Sequence, residues 1–289
     1  MTNIESHYVY VDGINTHYLQ AGKPKGSAPT VALLHSGEFG GCSEISWEYT
    51  IPALAEHFHV VAPDWLGFGR TDKVYDFADP RGRVYAHMSN FFKVIGVEAA
   101  DFIGNSMGGS NLARIIANPP SILPVRSAVL CSGGGFTPLT EERKTLLAYD
   151  GTSESMQALL KAMLYDEKWG NDAEYVKKRQ AMALMPGAFE CASAPRLKRP
   201  DPNASKNKAG EQGFGIPDNN PYEKIGIPVL IIAGKNDPLR EPAYSLKLAE
   251  MIPDNEHHVY DDCGHCPNIE HADRFNTDVI NFLKCVHSL

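Results

Sequence analysis

The chain has 289 residues, 43% of them hydrophobic and 21% charged, with a formal net charge of −8. That length and apolar content suit a globular protein with a large core, and the acidic balance without any lysine/arginine block argues against nucleic acid or anionic membrane as partners. Residues 1–20 lack a secretory apolar segment, no apolar run is long enough to span a bilayer, and six cysteines are too few for a disulfide scaffold, so a cytoplasmic protein with reduced thiols is expected.

The chain opens with a predicted hairpin. Residues 8–11 and 16–19 alternate polar and apolar, and Asp12-Gly13 between them suits a type I′ turn. Short apolar runs then follow at 30–34, 58–62, 101–103, 127–131, 228–233 and 257–260. Helical patterns lie between and after them, at 110–117, 246–251 and 274–286. Alternation of near-continuous apolar strands with helices predicts a mostly parallel eight-stranded sheet covered on both faces, an α/β fold. The alternation breaks from about residue 136 to 222, where 156–164 and 172–184 have helical spacing and 195–221 reads as loop. This stretch is expected to be a helical cap, inserted after the sixth strand into a core made of residues 1–135 and 223–289.

The strongest chemical signal is Gly104-Asn105-Ser106-Met107-Gly108. A G-x-S-x-G run between an apolar strand and a helix is the nucleophile elbow of α/β-hydrolases, in which the serine is held exposed on a sharp turn. Such a serine needs a base within reach, and the base needs an acid to fix its tautomer. The order Ser, acid, His is met by Asp237, just after the 228–233 strand, and His265, just after the 257–260 strand. Both fall at the C-terminal ends of strands, where open α/β sheets place their sites. Asp261 and Asp262 are closer in sequence to His265, but a separate loop fits the order better. The oxyanion hole requires two backbone N–H groups. Met107 supplies one, and Gly37, in the loop His35-Ser36-Gly37-Glu38 after the 30–34 strand, is the candidate for the other.

Beyond the elbow, Asp64-Trp-Leu-Gly-Phe-Gly-Arg-Thr-Asp72 and the cap segments 159–166 and 175–179 give the chain a specific likeness. Together with 104–109 they resemble the meta-cleavage product hydrolases, the C–C bond hydrolases of bacterial aromatic and steroid ring catabolism. The likeness covers most of the chain and is weakest over 195–221. It implies a Ser106–His265–Asp237 triad that cleaves a C–C bond beside a ketone in a vinylogous diketone acid, after enol-to-keto tautomerisation. It implies that Asn105 and Arg179 help bind that acid. It implies neither metal nor cofactor, and a homodimer or higher oligomer.

Three features depart from the family pattern: Ser36 and Glu38 in a loop that usually reads His-Gly-Gly-Gly, Ser46 for a pocket asparagine, and Cys266 for a tryptophan after the catalytic histidine. All four residues are candidates for contact with substrate, and they imply an altered substrate. Carboxylester or lactone hydrolysis is the alternative chemistry, and a non-catalytic receptor on the same fold is the other class. An epoxide hydrolase or dehalogenase requires aspartate at position 106. Cys263-Gly-His-Cys266 copies a redox C-x-x-C spacing, but it encloses the candidate base near the C-terminus, where a structural reading is preferred. Asp64 and Arg70 read as ties for the loop that follows their strand, and the Met/Leu stripe of 156–164 as cap packing.

Overall fold

A computed structural model describes residues 2–197, 214–241 and 243–289. Eight strands form one sheet: β1 (Ile4–Val11), β2 (Ile14–Gly22), β3 (Thr30–Leu34), β4 (His59–Pro63), β5 (Ala100–Asn105), β6 (Val125–Cys131), β7 (Val229–Gly234) and β8 (Asn255–Tyr260). Their order is β1-β2-β4-β3-β5-β6-β7-β8. The β1–β2 and β2–β4 pairs are antiparallel and the rest parallel. This is the α/β-hydrolase fold. The hairpin forms as its sequence dictates: Asp12 and Gly13 both take positive φ, at 52° and 80°, which a type I′ turn demands.

The inner strands are apolar throughout because both faces are covered. On β3, Ala32 and Leu34 join one core cluster, while Val31 and Leu33 join the other. β7 repeats the division, with Val229 and Ile231 against Leu230 and Ile232. The first face packs on the helices Pro80–Val94, Met107–Ala117 and Tyr244–Met251, and the second on Thr50–Ala55 and Ala272–His287. Pro80–Val94 was not foreseen in the sequence. Its start is set by Asp79, whose side chain accepts from Gly82 N–H, with Pro80 at the first helical position.

The insertion after β6 is helical, including Glu141–Leu147, Ser153–Met163, Ala173–Ala183 and Ala188–Ser193. It has its own apolar core of Tyr149, Met156, Leu159, Leu160, Met163 and Val176, joined by Phe39 and Cys266 from the main body. Of the loop expected over 195–221, residues 198–213 lie outside the described residues. The cap is pinned to the loop after β8: Met163 O accepts from His265 N–H at 3.0 Å, and Glu270 accepts from Tyr165 N–H at 2.7 Å. Among the described residues no helix is long and apolar enough to cross a membrane.

Candidate active site

Ser106 sits between β5 and the helix Met107–Ala117 with φ 53° and ψ −110°, a backbone conformation that a non-glycine residue adopts only under constraint. The constraint comes from both sides. Ser106 N–H donates to Cys131 O on β6 at 2.8 Å, and Ser106 O accepts from Ser110 N–H at 2.8 Å. The elbow also brings backbone against backbone. A Cβ on Gly108 would lie 2.1 Å from Leu34 O of β3, and one on Gly104 would lie 2.5 Å from the backbone of Gly108. The glycines of the motif are therefore required by close packing.

His265 Nε2 lies 2.7 Å from Ser106 Oγ, and its Nδ1 lies 2.7 Å from Asp237 Oδ2. A carboxylate can only accept, so Nδ1 carries the proton and Nε2 is free to accept from the serine hydroxyl. Asp237 is buried, which raises its pKa, but His265 and Arg240 outweigh burial and hold the carboxyl below its ordinary value. Its other oxygen accepts from Leu239 N–H at 2.9 Å. The two nearby aspartates are elsewhere: Asp261 pairs with Lys235 at 2.6 Å at an exposed position, and Asp262 takes φ 50° in the turn after β8.

Met107 opens its helix, so its N–H has no intrahelical acceptor, and Gly37 N–H has no acceptor among the described residues. The two residues touch: a Cβ on Gly37 would lie 2.5 Å from Met107 Sδ. The loop that carries Gly37 is held by His35. Its Nδ1 bonds Ser36 O at 2.6 Å, and its Nε2 accepts from Trp65 N–H at 2.9 Å. Burial lowers the His35 pKa despite Asp64, so the ring stays neutral and keeps both bonds. Asp64, as expected, ties the neighbouring loop, accepting from the backbone N–H groups of Ser43 and Arg70 at 2.8 Å each and from His17 Nδ1 at 2.7 Å. The Arg70 side chain pairs with Glu44.

The residues that resemblance assigns to the substrate's acid end are gathered behind the triad, but they are occupied by one another. Asn105 is fully buried, with its Nδ2 3.4 Å from Cys131 O and 3.5 Å from His265 O. Ser36 and Ser46 share a hydroxyl–hydroxyl bond of 3.1 Å, and the Cys266 thiol is 3.9 Å from Asn105 Oδ1. Arg179 corrects the expectation of a free clamp. It is completely buried, and its guanidinium is ion-paired with Glu38 and donates to Tyr175 OH at 3.1 Å. Burial alone raises the pKa of Glu38. Arg179, with a hydrogen bond from Ser36, reverses that and holds it below the ordinary carboxylate range. Glu38 thus points inward, and a carboxylate of the chain itself stands opposite Arg179.

A cavity of about 500 Å³ opens over the elbow, lined by Gly37, Ser106, Met107 and His265 at its base. Of the six residues proposed from sequence to contact substrate, Glu38 alone lines it; Asn105, Arg179, Ser36, Ser46 and Cys266 lie behind its wall. Sequence reasoning missed Arg143 and Arg240, which also line it. Arg240, three residues after the acid, was the available signal. Cys263 and Cys266 are free and buried, and burial raises both thiols far above the ordinary cysteine value, which suppresses thiolate chemistry. Among the described residues no cluster of His, Cys, Asp and Glu could hold a metal ion.

Residues 31–278 match the model of the alpha/beta hydrolase family. The chain is 30% identical over 279 residues to the 2-hydroxy-6-oxo-6-(2'-aminophenyl)hexa-2,4-dienoic acid hydrolase of Metapseudomonas resinovorans, an alignment covering 96% of this chain and 90% of the relative. It is 31% identical over 275 residues to the 2-hydroxymuconate semialdehyde hydrolase of Pseudomonas sp. (strain CF600), covering 93% and 89%. Among solved structures, the meta-cleavage product hydrolase from Pseudomonas fluorescens IP01 superposes with a TM-score of 0.83 at 26% identity, covering 96% of this chain and 97% of that one.

Proposed function

The chain belongs to the alpha/beta hydrolase family and, within it, to the meta-cleavage product hydrolases, and on that premise we propose that it is a serine hydrolase cleaving the C–C bond beside a ketone in a vinylogous diketone acid. The observation that carries this reading is the unbroken relay Asp237–His265–Ser106 at the base of a cavity, with the Gly37 and Met107 N–H groups beside it lacking acceptors among the described residues. In the keto tautomer the departing carbon is flanked by unsaturation that takes up its electron pair. Ser106 Oγ then attacks the ketone while His265 Nε2 takes its proton, and Gly37 and Met107 N–H receive the oxyanion. The C–C bond breaks toward the conjugated ketone, His265 returns the proton to that carbon, and water releases the acid from Ser106.

Of the proposed cap, 136–222, the described residues Arg143, Leu146, Met163, Ala192 and Phe214 line the cavity, and Met163 O meets His265 N–H directly. Family likeness supports a homodimer or higher oligomer, and the free cysteines suit a reducing cytoplasm; light scattering on the purified protein tests the assembly. Ester or lactone hydrolysis is the second reading, favoured by one observation: Arg179 already holds a carboxylate in Glu38. A panel of yellow ring-fission dienones beside p-nitrophenyl esters separates the two. Bleaching of a dienone with acid release supports C–C cleavage, and turnover of esters alone moves the assignment. Ser106→Ala is expected to lower either activity by about 10⁴–10⁶ without loss of fold; undiminished turnover refutes the triad.

A further inference from the structure

An acidic protein has here a cationic pocket. Six of its eleven arginines line the cavity over Ser106: Arg81, Arg83, Arg114, Arg143, Arg196 and Arg240. The cavity's only carboxylates, among the described residues, are Asp76 and Glu38, and Glu38 is neutralised by Arg179 from behind. No lysine lines it. Arginine rather than lysine is the side chain suited to planar, bidentate recognition of a carboxylate.

Two of the six are built into the structure. Arg143 is 8% exposed and Arg240 is 6% exposed. Arg143 donates to Pro138 O at 2.9 Å and to Leu239 O at 2.7 Å, and stacks its guanidinium over Phe214 at 4.5 Å, leaving Nη1 without a protein partner among the described residues. Arg240 uses all five of its N–H donors inside the protein, on Ser132 O from Nε at 3.2 Å and from Nη2 at 2.7 Å, on Phe136 O at 3.2 Å and Thr137 Oγ1 at 3.0 Å from Nη1, and on Ser110 Oγ at 3.3 Å from Nη2, so it contributes its charge and not a hydrogen bond. Neither has a carboxylate within ion-pair distance among the described residues; the carboxylate whose charge acts on both is Asp237, which is engaged with His265. Burial, and then the like charge of Arg240, lower the Arg143 pKa to about 10. Buried cations are ordinarily paired, so two neighbouring ones facing a cavity leave an anion to be supplied from outside.

We infer that Arg143, through its Nη1 and with the charge of Arg240 beside it, forms the anion subsite of this enzyme, and that the substrate's carboxylate lies on that side of the reacting carbonyl, not at Arg179. The inference rests on the serine-hydrolase reading but not on which bond is cleaved. Ser110, the hydrogen-bond partner of Arg240, is one helical turn from Ser106, so a carboxylate roughly 5–6 Å from the carbonyl carbon reaches it. A chain of about four methylenes spans that gap. Cationic walls around the cavity also concentrate an anionic substrate, an effect that salt weakens.

The test compares the p-nitrophenyl monoester of adipic acid with neutral p-nitrophenyl hexanoate, with enzyme-free hydrolysis subtracted. At low salt the adipate ester is expected to show a kcat/KM roughly tenfold above the hexanoate, as charge-assisted hydrogen bonds to a buried site allow. In Arg143→Gln the loss falls on the adipate ester, so that the ratio drops toward one, and Arg143→Lys recovers part of it. A wild-type ratio near or below one, or a ratio unchanged in Arg143→Gln, overturns the inference. Free adipate, with adipamide as the neutral control, reads the subsite without turnover: it is expected to raise the wild-type Tm and not that of Arg143→Gln. Stabilisation by adipate with neither ester hydrolysed fails the serine-hydrolase reading alone. Turnover of both esters without anion preference or adipate stabilisation fails the subsite alone.

Discussion

Glu38→Ala removes the one carboxylate that faces Arg179 and leaves a guanidinium with no exposure to water. Its remaining partner is the Tyr175 hydroxyl at 3.1 Å, with the Tyr175 ring 5.3 Å away, and its Nε is already unsatisfied. Breaking a buried pair from one side leaves an uncompensated charge and costs about 3–5 kcal/mol. For a chain of this size that is a fall in Tm of about 5–8 °C. Arg179→Met in the same background removes the orphaned charge, so the double variant is expected to be more stable than the sum of the two single losses by about 3 kcal/mol. The vacated space also opens to the cavity that Glu38 lines, so acetate has a route to Arg179. At a hundred times its Kd acetate is expected to return about 2.7 kcal/mol, whereas acetamide returns little. Urea unfolding of the four proteins, with and without acetate, measures each quantity. A Glu38→Ala loss below about 1 kcal/mol, or strict additivity with Arg179→Met, refutes the claim that the pair is a coupled, dry unit.

The remaining predictions concern acid stability and the oxyanion hole. Glu38, Asp64 and Asp237 all have pKa values held below the ordinary carboxylate range in the fold, because their partners outweigh the opposing effect of burial. Their contribution is present above the unfolded values near 4 and is lost as pH falls through the lower folded values. The urea midpoint is therefore expected to change little from about pH 7 to 5 and to drop below about pH 4, less steeply in Glu38→Ala; identical slopes in both proteins count against the Glu38 share. Gly37→Ala drives a methyl into Met107 Sδ and displaces the paired N–H groups. A fall in kcat of about 10²–10³ with a small change in Tm is expected, and an unaltered kcat places the second oxyanion donor elsewhere.

The sequence by itself determined what local physics controls. Apolar runs marked the inner strands, because a sheet buried on both faces leaves them no polar side, while polar–apolar alternation marked the hairpin strands β1 and β2. Asp12-Gly13 marked the hairpin turn through positive φ, and Gly104-x-Ser106-x-Gly108 marked the elbow through the backbone contacts that only glycine permits. The order of Ser106, Asp237 and His265 followed, since each ends a predicted strand. Only the tertiary structure decided what the charges do. Glu38 and Arg179 are 141 positions apart, and nothing in either segment says that they neutralise each other inside the protein. Arg143 lies in a cap helix and Arg240 in the acid loop, and they become neighbours only when the cap folds back over the sheet. A strand or a tight turn is specified by residues near in sequence. The role of a buried charge is specified by what stands across from it, and in this pocket those partners come from segments far apart in the chain.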